Sequence, residues 1–416
     1  MKFKLNLRQV RLIIVGLSLV LLAGGGGYRL GSHGVGVDFS KQLPFIVNRQ
    51  KPFNREGVDF SLFWQVWDIV ETHYLDKEAI VADQMVYGAI KGLVGSLGDP
   101  YTVFLSPEEN KQATEDLQGS FEGIGIQIGY KDGVLAVIAP LPATPAEKAG
   151  IRAGDFVLMI DDQETMEISL PEAVSLIRGP KDSQVVLTVL HEGDQDTQEI
   201  TIERGTILVP SVELEFLTSS LGKVAHLKLM RFGDRTNGEW FEAVREIRKQ
   251  CLVGVEDNLC FGVILDLRNN PGGYLLGAPP VISEFVGSGV ALVQEDASGV
   301  KTAYNVTGNG QLLSFPLVIL TNQGSASASE IVAGALQESD RAKIVGMKTF
   351  GKGSIQEAEG LSGGSGIHIT TARWLLPSEK SVDKEGLIPD IEVEQNWETE
   401  IDEQLEKAKQ LLFNNK

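Results

Sequence analysis

Hydrophobic positions change their period along this chain, and each change predicts a different kind of structure. Phe60, Phe63, Val66, Trp67, Ile69 and Val70 recur at helical spacing, and residues 85–97 repeat that pattern before the turn Gly98-Asp99-Pro100. Residues 59–118 are therefore expected to form a helical N-terminal domain with its aromatics as core. Over residues 119–206 the apolar runs shorten to strands, GIGIQIGY, GVLAVIAPL, DFVLMID, QVVLTVLHEG and TQEITIER, around a helix at Leu170–Ile177. From 207 to 395 strands such as KVAHLKL, FGVILDL and FPLVILT alternate with helices at 238–250 and 328–337, which predicts an α/β core with sites at its strand ends. Residues 396–416 close the chain with an amphipathic, charged helix. The expected fold class is α+β and multidomain.

The first residues stand apart. Lys2, Lys4, Arg8 and Arg11 precede the apolar run 12–23 and four glycines, the layout of a secretory signal peptide or membrane anchor over residues 1–27. Residues 28–58, rich in Gly, Pro and polar side chains, read as a linker. The remainder is then exported to an extracytoplasmic space, a periplasm or a lumen, where disulfides form. Cys251 and Cys260 are the two cysteines, and a loop-closing disulfide and two free thiols are equal alternatives for them. A net charge of −19, with no basic patch beyond the N-terminus, argues against a nucleic-acid partner.

Candidate chemistry lies in the α/β region. The run GSASASEIVAGALQ, residues 324–337, puts Ser327 among small residues just before a helix, whose free N–H groups and positive dipole would face its hydroxyl. Lys352, within TFGKGSIQ, could serve as its base if burial keeps the amine neutral. Ser325 and Ser329 are the rival nucleophiles, and Lys348, outside the glycine loop, is the rival base. In DLRNNPGG, residues 266–273, the N–H groups of Gly272 and Gly273 could join that of Ala328 around an oxyanion.

These three segments in this order, with GLIPDIEV at 386–393, resemble the carboxyl-terminal processing peptidases, or tail-specific proteases. The resemblance implies a ClpP/crotonase-like serine protease core at 207–395, with Ser327 as nucleophile, Lys352 as base and Gln356, one helical turn further on, as the group orienting the lysine. It also implies a PDZ domain at 119–206, carried here by EGIGIQI and TPAEKAGIRAGDFVLMIDD. Gly123, Ile124, Gly125 and Ile126 could turn successive N–H groups toward a peptide's terminal carboxylate while the next strand pairs with its backbone. Arg178 is a further candidate contact. The expected activity is serine-type endopeptidase cleavage of C-terminal tails, through an acyl-enzyme. The alternative is a PDZ adaptor or chaperone at the membrane that binds tails without cutting.

Other readings are weaker. GMKTFGKG, residues 346–353, approaches the phosphate-loop pattern but has Gly353 where a hydroxyl should meet magnesium. Of the histidines, His33 falls in the linker, His73 in the helical domain and His191 in the PDZ-like module. His226 and His368 fall in strand patterns without acidic motif partners, so a histidine triad is not expected. No metal-binding spacing occurs and no cofactor is implied. The partners expected are protein C-termini and, through the N-terminal segment, a membrane. The physiological substrate, a resting state with the dyad misaligned, and assembly into a homo-oligomer are left open.

Overall fold

A computed structural model describes residues 35–38, 45–48, 59–131, 133–166, 168–191, 193–219, 222–251, 260–395 and 401–414. Residues 1–27, read above as a signal peptide or anchor, lie outside these residues. The chain divides into two compact units, 1–86 and 87–416. In the first, β1 (Val35–Asp38) pairs antiparallel with β2 (Phe45–Asn48) within the stretch read as a linker. The amphipathic helix α1 (Ser61–His73) follows, and α2 (Ala82–Gly95) carries the chain onward. One expectation fails here: α1 buries no residue, and Phe60 is 51% exposed. Its aromatics pack on one another instead, with the Phe63 ring centroid 5.0 Å from Trp64 and 5.9 Å from Trp67. Helical periodicity defines an apolar face but not what covers it.

The second unit takes up the chain within α2 and continues with β3 (Val103–Leu105) and α3 (Pro107–Gln118). A reciprocal Ser106–Glu109 capping box starts α3, and Gly119 ends it in the left-handed conformation. Then come β4 (Ser120–Gly123), β5 (Ile126–Lys131), β6 (Val134–Pro140), the short α4 (Pro145–Lys148), β7 (Phe156–Ile160), β8 (Gln163–Glu164), α5 (Leu170–Ile177), β9 (Gln184–Leu190), β10 (Gln198–Glu203) and β11 (Gly205–Leu208). Their sheet runs β10-β9-β7-β6-β5, and β4 pairs with β11 in a separate ribbon. Val185, Leu187 and Val189 alternate inward along β9 and meet Ala173 and Ile177 of α5 in a small core.

The largest sheet contains β12 (Val212–Ser219), β13 (Gly222–Leu229), β14 (Cys260–Asp266), β17 (Leu317–Thr321), β18 (Lys343–Gly346) and β21 (Ile391–Glu392), in that order. All neighbours in it except β12 and β13 are parallel. Parallel strands are covered on both faces, and β17 is accordingly apolar and buried up to its final Thr321. Its Leu317 and Ile319 face the helices α6 (Thr236–Gln250), α7 (Ala278–Phe285) and α8 (Ala328–Glu338), whereas Val318 and Leu320 face the final helix α9 (Glu403–Asn414). A second, antiparallel sheet runs from β16 (Lys301–Asn305) through β15 (Val290–Asp296) and β20 (Gly366–Leu375) to β19 (Ser354–Gly360), with β3 added to β20. A disulfide joins Cys251, after α6, to Cys260, at the start of β14.

Candidate active site

Each of the three suspect segments leaves the carboxyl end of a parallel strand. DLRNNPGG follows from β14, GSASAS from β17 and TFGKG from β18, and these strands are neighbours. Loops at the carboxyl ends of adjacent parallel strands converge, so the sheet itself gathers the candidates. The approach of the first two loops is close: a Cβ added at Gly272 would stand 2.8 Å from Ser327 Cβ, and φ at Gly272 is +96°. Only glycine fits there without displacement.

Buried Asn270 stitches these loops together. Its Nδ2 donates to Leu229 O at 2.7 Å, its Oδ1 accepts Gly272 N–H at 2.8 Å, and its carbonyl accepts Ala326 N–H at 2.9 Å. Gly272, expected as an oxyanion donor, has thus committed its N–H. Ala328 begins α8, where a backbone N–H has no partner within its own helix.

The serines separate clearly. Ser325 and Ser329 are fully buried, and their hydroxyls donate to backbone carbonyls: Ser325 to Leu267 O at 2.8 Å, Ser329 to Ala326 O at 2.8 Å and Asn270 O at 3.0 Å. Ser327 is partly exposed and sits at the N-cap of α8 with φ 57° and ψ −117°. That conformation is costly for a residue with a Cβ and survives only where surroundings enforce it. Here the enforcing group is Glu330, one turn into the helix, whose Oε2 accepts Ser327 N–H at 2.8 Å.

Glu330 is also fully buried, and it reaches the other loop. Its Oε2 accepts Lys352 N–H at 2.9 Å, while its Oε1 accepts Gly351 N–H at 2.7 Å and the Thr349 hydroxyl at 2.6 Å. One carboxylate therefore fixes the backbone beneath both candidates. Lys352 itself is partly buried, with Nζ 5.0 Å from the centroid of the Tyr101 ring. Burial holds its amine below the ordinary lysine value, against the opposing charges of Asp99 and Glu330. Among the described residues no hydrogen bond joins Lys352 Nζ to Ser327 Oγ. Lys348 is exposed.

Two expectations need correction. Gln356 is not a helical turn from Lys352, because residues 354–360 form β19; its Nε2 donates to Ser354 Oγ at 2.7 Å, two residues back on the same strand face, and to Thr370 Oγ1 at 3.1 Å. His226 does have an acidic partner, for its Nε2 lies 3.0 Å from Asp266 Oδ2 across the β13–β14 pair. That carboxylate also binds Arg268, which reaches Asp402 beside α9, so the group anchors the C-terminal helix. The GMKTFGKG run connects strand to strand, with no helix N-terminus after it to hold phosphate.

Between β5 and α5 lies a groove of about 370 Å³, lined by Gly123, Ile124, Gly125, Ile126, Ile138, Val174 and Arg178 among others. It brings together every residue nominated for peptide binding. Ile124 is itself a core side chain, so its contribution to the groove is backbone. Arg178 follows the last turn of α5 with its guanidinium 4.5 Å from the Phe121 ring centroid and 3.4 Å from Glu115. Arg204 holds that turn by donating to Leu176 O at 2.8 Å and Ile177 O at 2.9 Å.

Comparison with known proteins agrees with this architecture. The pattern of Peptidase family S41 matches residues 223–393, that of the PDZ domain 137–190, and that of the activating protease CtpB N-terminal domain 21–109. A carboxyl-terminal-processing protease of Synechocystis is 34% identical over 383 residues, which is 91% of this chain and 87% of that protein. The chain belongs to the carboxyl-terminal processing proteases. The processing protease CtpB of Bacillus subtilis is 30% identical over 376 residues, 90% of this chain and 76% of its own length. An S41 protease structure from Bacteroides fragilis, 17% identical, shares the fold with a TM-score of 0.52 over 79% of this chain and 90% of its own.

For a processing protease, two residues stand out that the motifs alone did not nominate. Glu330 was within reach, since Ser327-x-x-Glu330 before an apolar run is a helix-start signature. Asn270 gave no comparable signal. Its role exists only because separate loops meet around it.

Proposed function

We propose that this processing protease cuts exported or membrane proteins near their C-termini by a Ser327–Lys352 dyad. Neutral Lys352 takes the Ser327 proton as the hydroxyl attacks the scissile carbonyl, returns it to the leaving amine, and then activates the water that hydrolyses the acyl-enzyme. The N–H groups of Gly273 and Ala328 hold the oxyanion, with Gly272 serving to keep the turn tight against Ser327. Gln356 acts from the adjoining sheet face. The observation carrying this reading is that one buried carboxylate, Glu330, bonds the backbones of both Ser327 and Lys352.

The substrate tail lies in the groove between β5 and α5. Its chain adds to β5, its terminal carboxylate meets the turn at 123–126, and an apolar last side chain enters among Ile126, Ile138 and Val174. Arg178 stands at the edge of that groove. Residues 1–27 deliver the enzyme to an extracytoplasmic compartment, and 59–118, 119–206 and 207–395 act as support, tail reader and cutter.

The test compares proteins differing only in an apolar or a charged C-terminal tail, incubated with the parent, Ser327→Ala and Lys352→Ala, with products read by intact mass. Tail-dependent cleavage absent from both variants, with tail binding retained, is the expected result. Tight binding without cleavage by the parent would instead favour the adaptor reading.

A further inference from the structure

We propose that Tyr101 is a positioning residue for Lys352: its ring forms the wall that keeps water from the amine. This rests on the reading of Lys352 as the base. The ring is placed by a built turn rather than by a chance contact. Asp99 accepts Tyr101 N–H at 3.0 Å and the Thr102 hydroxyl at 2.6 Å, and the buried Thr102 oxygen accepts Thr370 N–H from β20 at 3.0 Å. The turn before β3 is thereby clamped to the sheet that carries Gln356, and the ring comes to rest 5.0 Å from Lys352 Nζ.

The other surroundings of the amine do not replace this cover. Glu330 has both oxygens occupied by four donors, and Trp374 Nε1 donates to the Lys352 carbonyl at 2.8 Å, which fixes the backbone and not the amine. The ionisable groups nearby are Asp99 on the turn, Glu330 on α8 and His368 on β20, with Asp383 bonded to the next residue, Gly353. Asp99, Glu330 and the electron-rich face of the Tyr101 ring all favour the charged amine, so the neutral form a base needs depends on exclusion of water outweighing them, and the bulk of the ring supplies it. A side chain of similar bulk should serve as well as tyrosine, whereas a polar or a small one should admit water.

The experiment records kcat/KM against pH for cleavage of a tailed substrate by the full chain and by Tyr101→Phe, Tyr101→Leu, Tyr101→Gln, Tyr101→Ala and Lys352→Ala. Phe and Leu should keep the parent's acid limb. Gln and Ala should displace it upward by about one pH unit, a loss of about tenfold at pH 7 that is recovered at high pH. A loss of equal size at every pH, or an acid limb displaced downward, would overturn the proposal. Cleavage by Lys352→Ala at the parent's rate would instead remove the dyad on which it stands, whatever Tyr101 does.

Discussion

Glu330 Oε2 accepts the backbone N–H of Lys352 at 2.9 Å while accepting that of Ser327 at 2.8 Å, so the two candidate residues are registered through a third. A glutamine at 330 keeps one acceptor oxygen and turns an NH₂ group toward N–H donors. Glu330→Gln should cost about 2–4 kcal/mol of stability, as expected when a buried, charge-assisted set of hydrogen bonds is broken. It should also lower kcat/KM by about 100-fold or more. Urea unfolding and peptide cleavage measure the two effects, and a destabilised variant with the parent's kinetics would show that Glu330 only stabilises.

Lys352 makes stability depend on pH in a defined direction. Its amine is held below the unfolded lysine value of 10.5, so between the two values the unfolded chain binds more protons than the folded one. Stability then rises with pH through this window, and the buried amine costs stability below it. Lys352→Met should raise Tm at pH 7, by about 2–4 °C for each kcal/mol relieved, and the gain should vanish near pH 10.5. Melting curves of parent and variant across pH 6–11 test this, and a constant difference would contradict it.

Convergence of the three segments was legible because each follows an apolar strand run, and such runs in a parallel sheet place their loops at one edge. The ends of α5 were legible too: Ser169 caps its start, and Arg178 leaves the helical conformation. What stayed hidden depended on register or on cover. Pairing of His226 with Asp266, 40 residues apart, follows from the alignment of β13 with β14. Gln356 was misplaced because a four-residue spacing means a neighbour on a helix but about 13 Å along a strand. For the aromatics of α1, periodicity stated the face and left its partner unstated.

Asp266 carries a second pH signature. Burial works against its charge, yet hydrogen bonds from His226 and Arg268 bring it down to about 2 from 3.8. The stability it contributes is therefore complete above pH 3.8 and lost as pH falls toward 2. Asp266→Asn should abolish that part of the acid unfolding curve. Arg268→Ala leaves the carboxylate buried with His226 as its remaining side-chain partner and cuts the link to Asp402, a loss of about 3–5 kcal/mol. Circular dichroism from pH 2 to 7 checks both, and superimposable acid curves for parent and Asp266→Asn would refute the assignment.

Gly125 separates recognition from cleavage. Its φ of +79° and the 2.5 Å between an added Cβ and Thr144 Cβ exclude any side chain without distorting the turn that ends at β5. The distortion falls on the backbone proposed to receive the tail carboxylate, just before β5, and not on the loops after β17 and β18 that carry Ser327 and Lys352. Gly125→Ala should raise KM for a tailed substrate about tenfold or more while leaving cleavage of a short peptide without the tail unchanged. Gly238→Ala on α6 is the control, since its added Cβ would meet nothing within 4 Å. Equal losses on both substrates would mean that the groove and the cutting site are not separable, and the division of labour between tail reader and cutter would have to be abandoned.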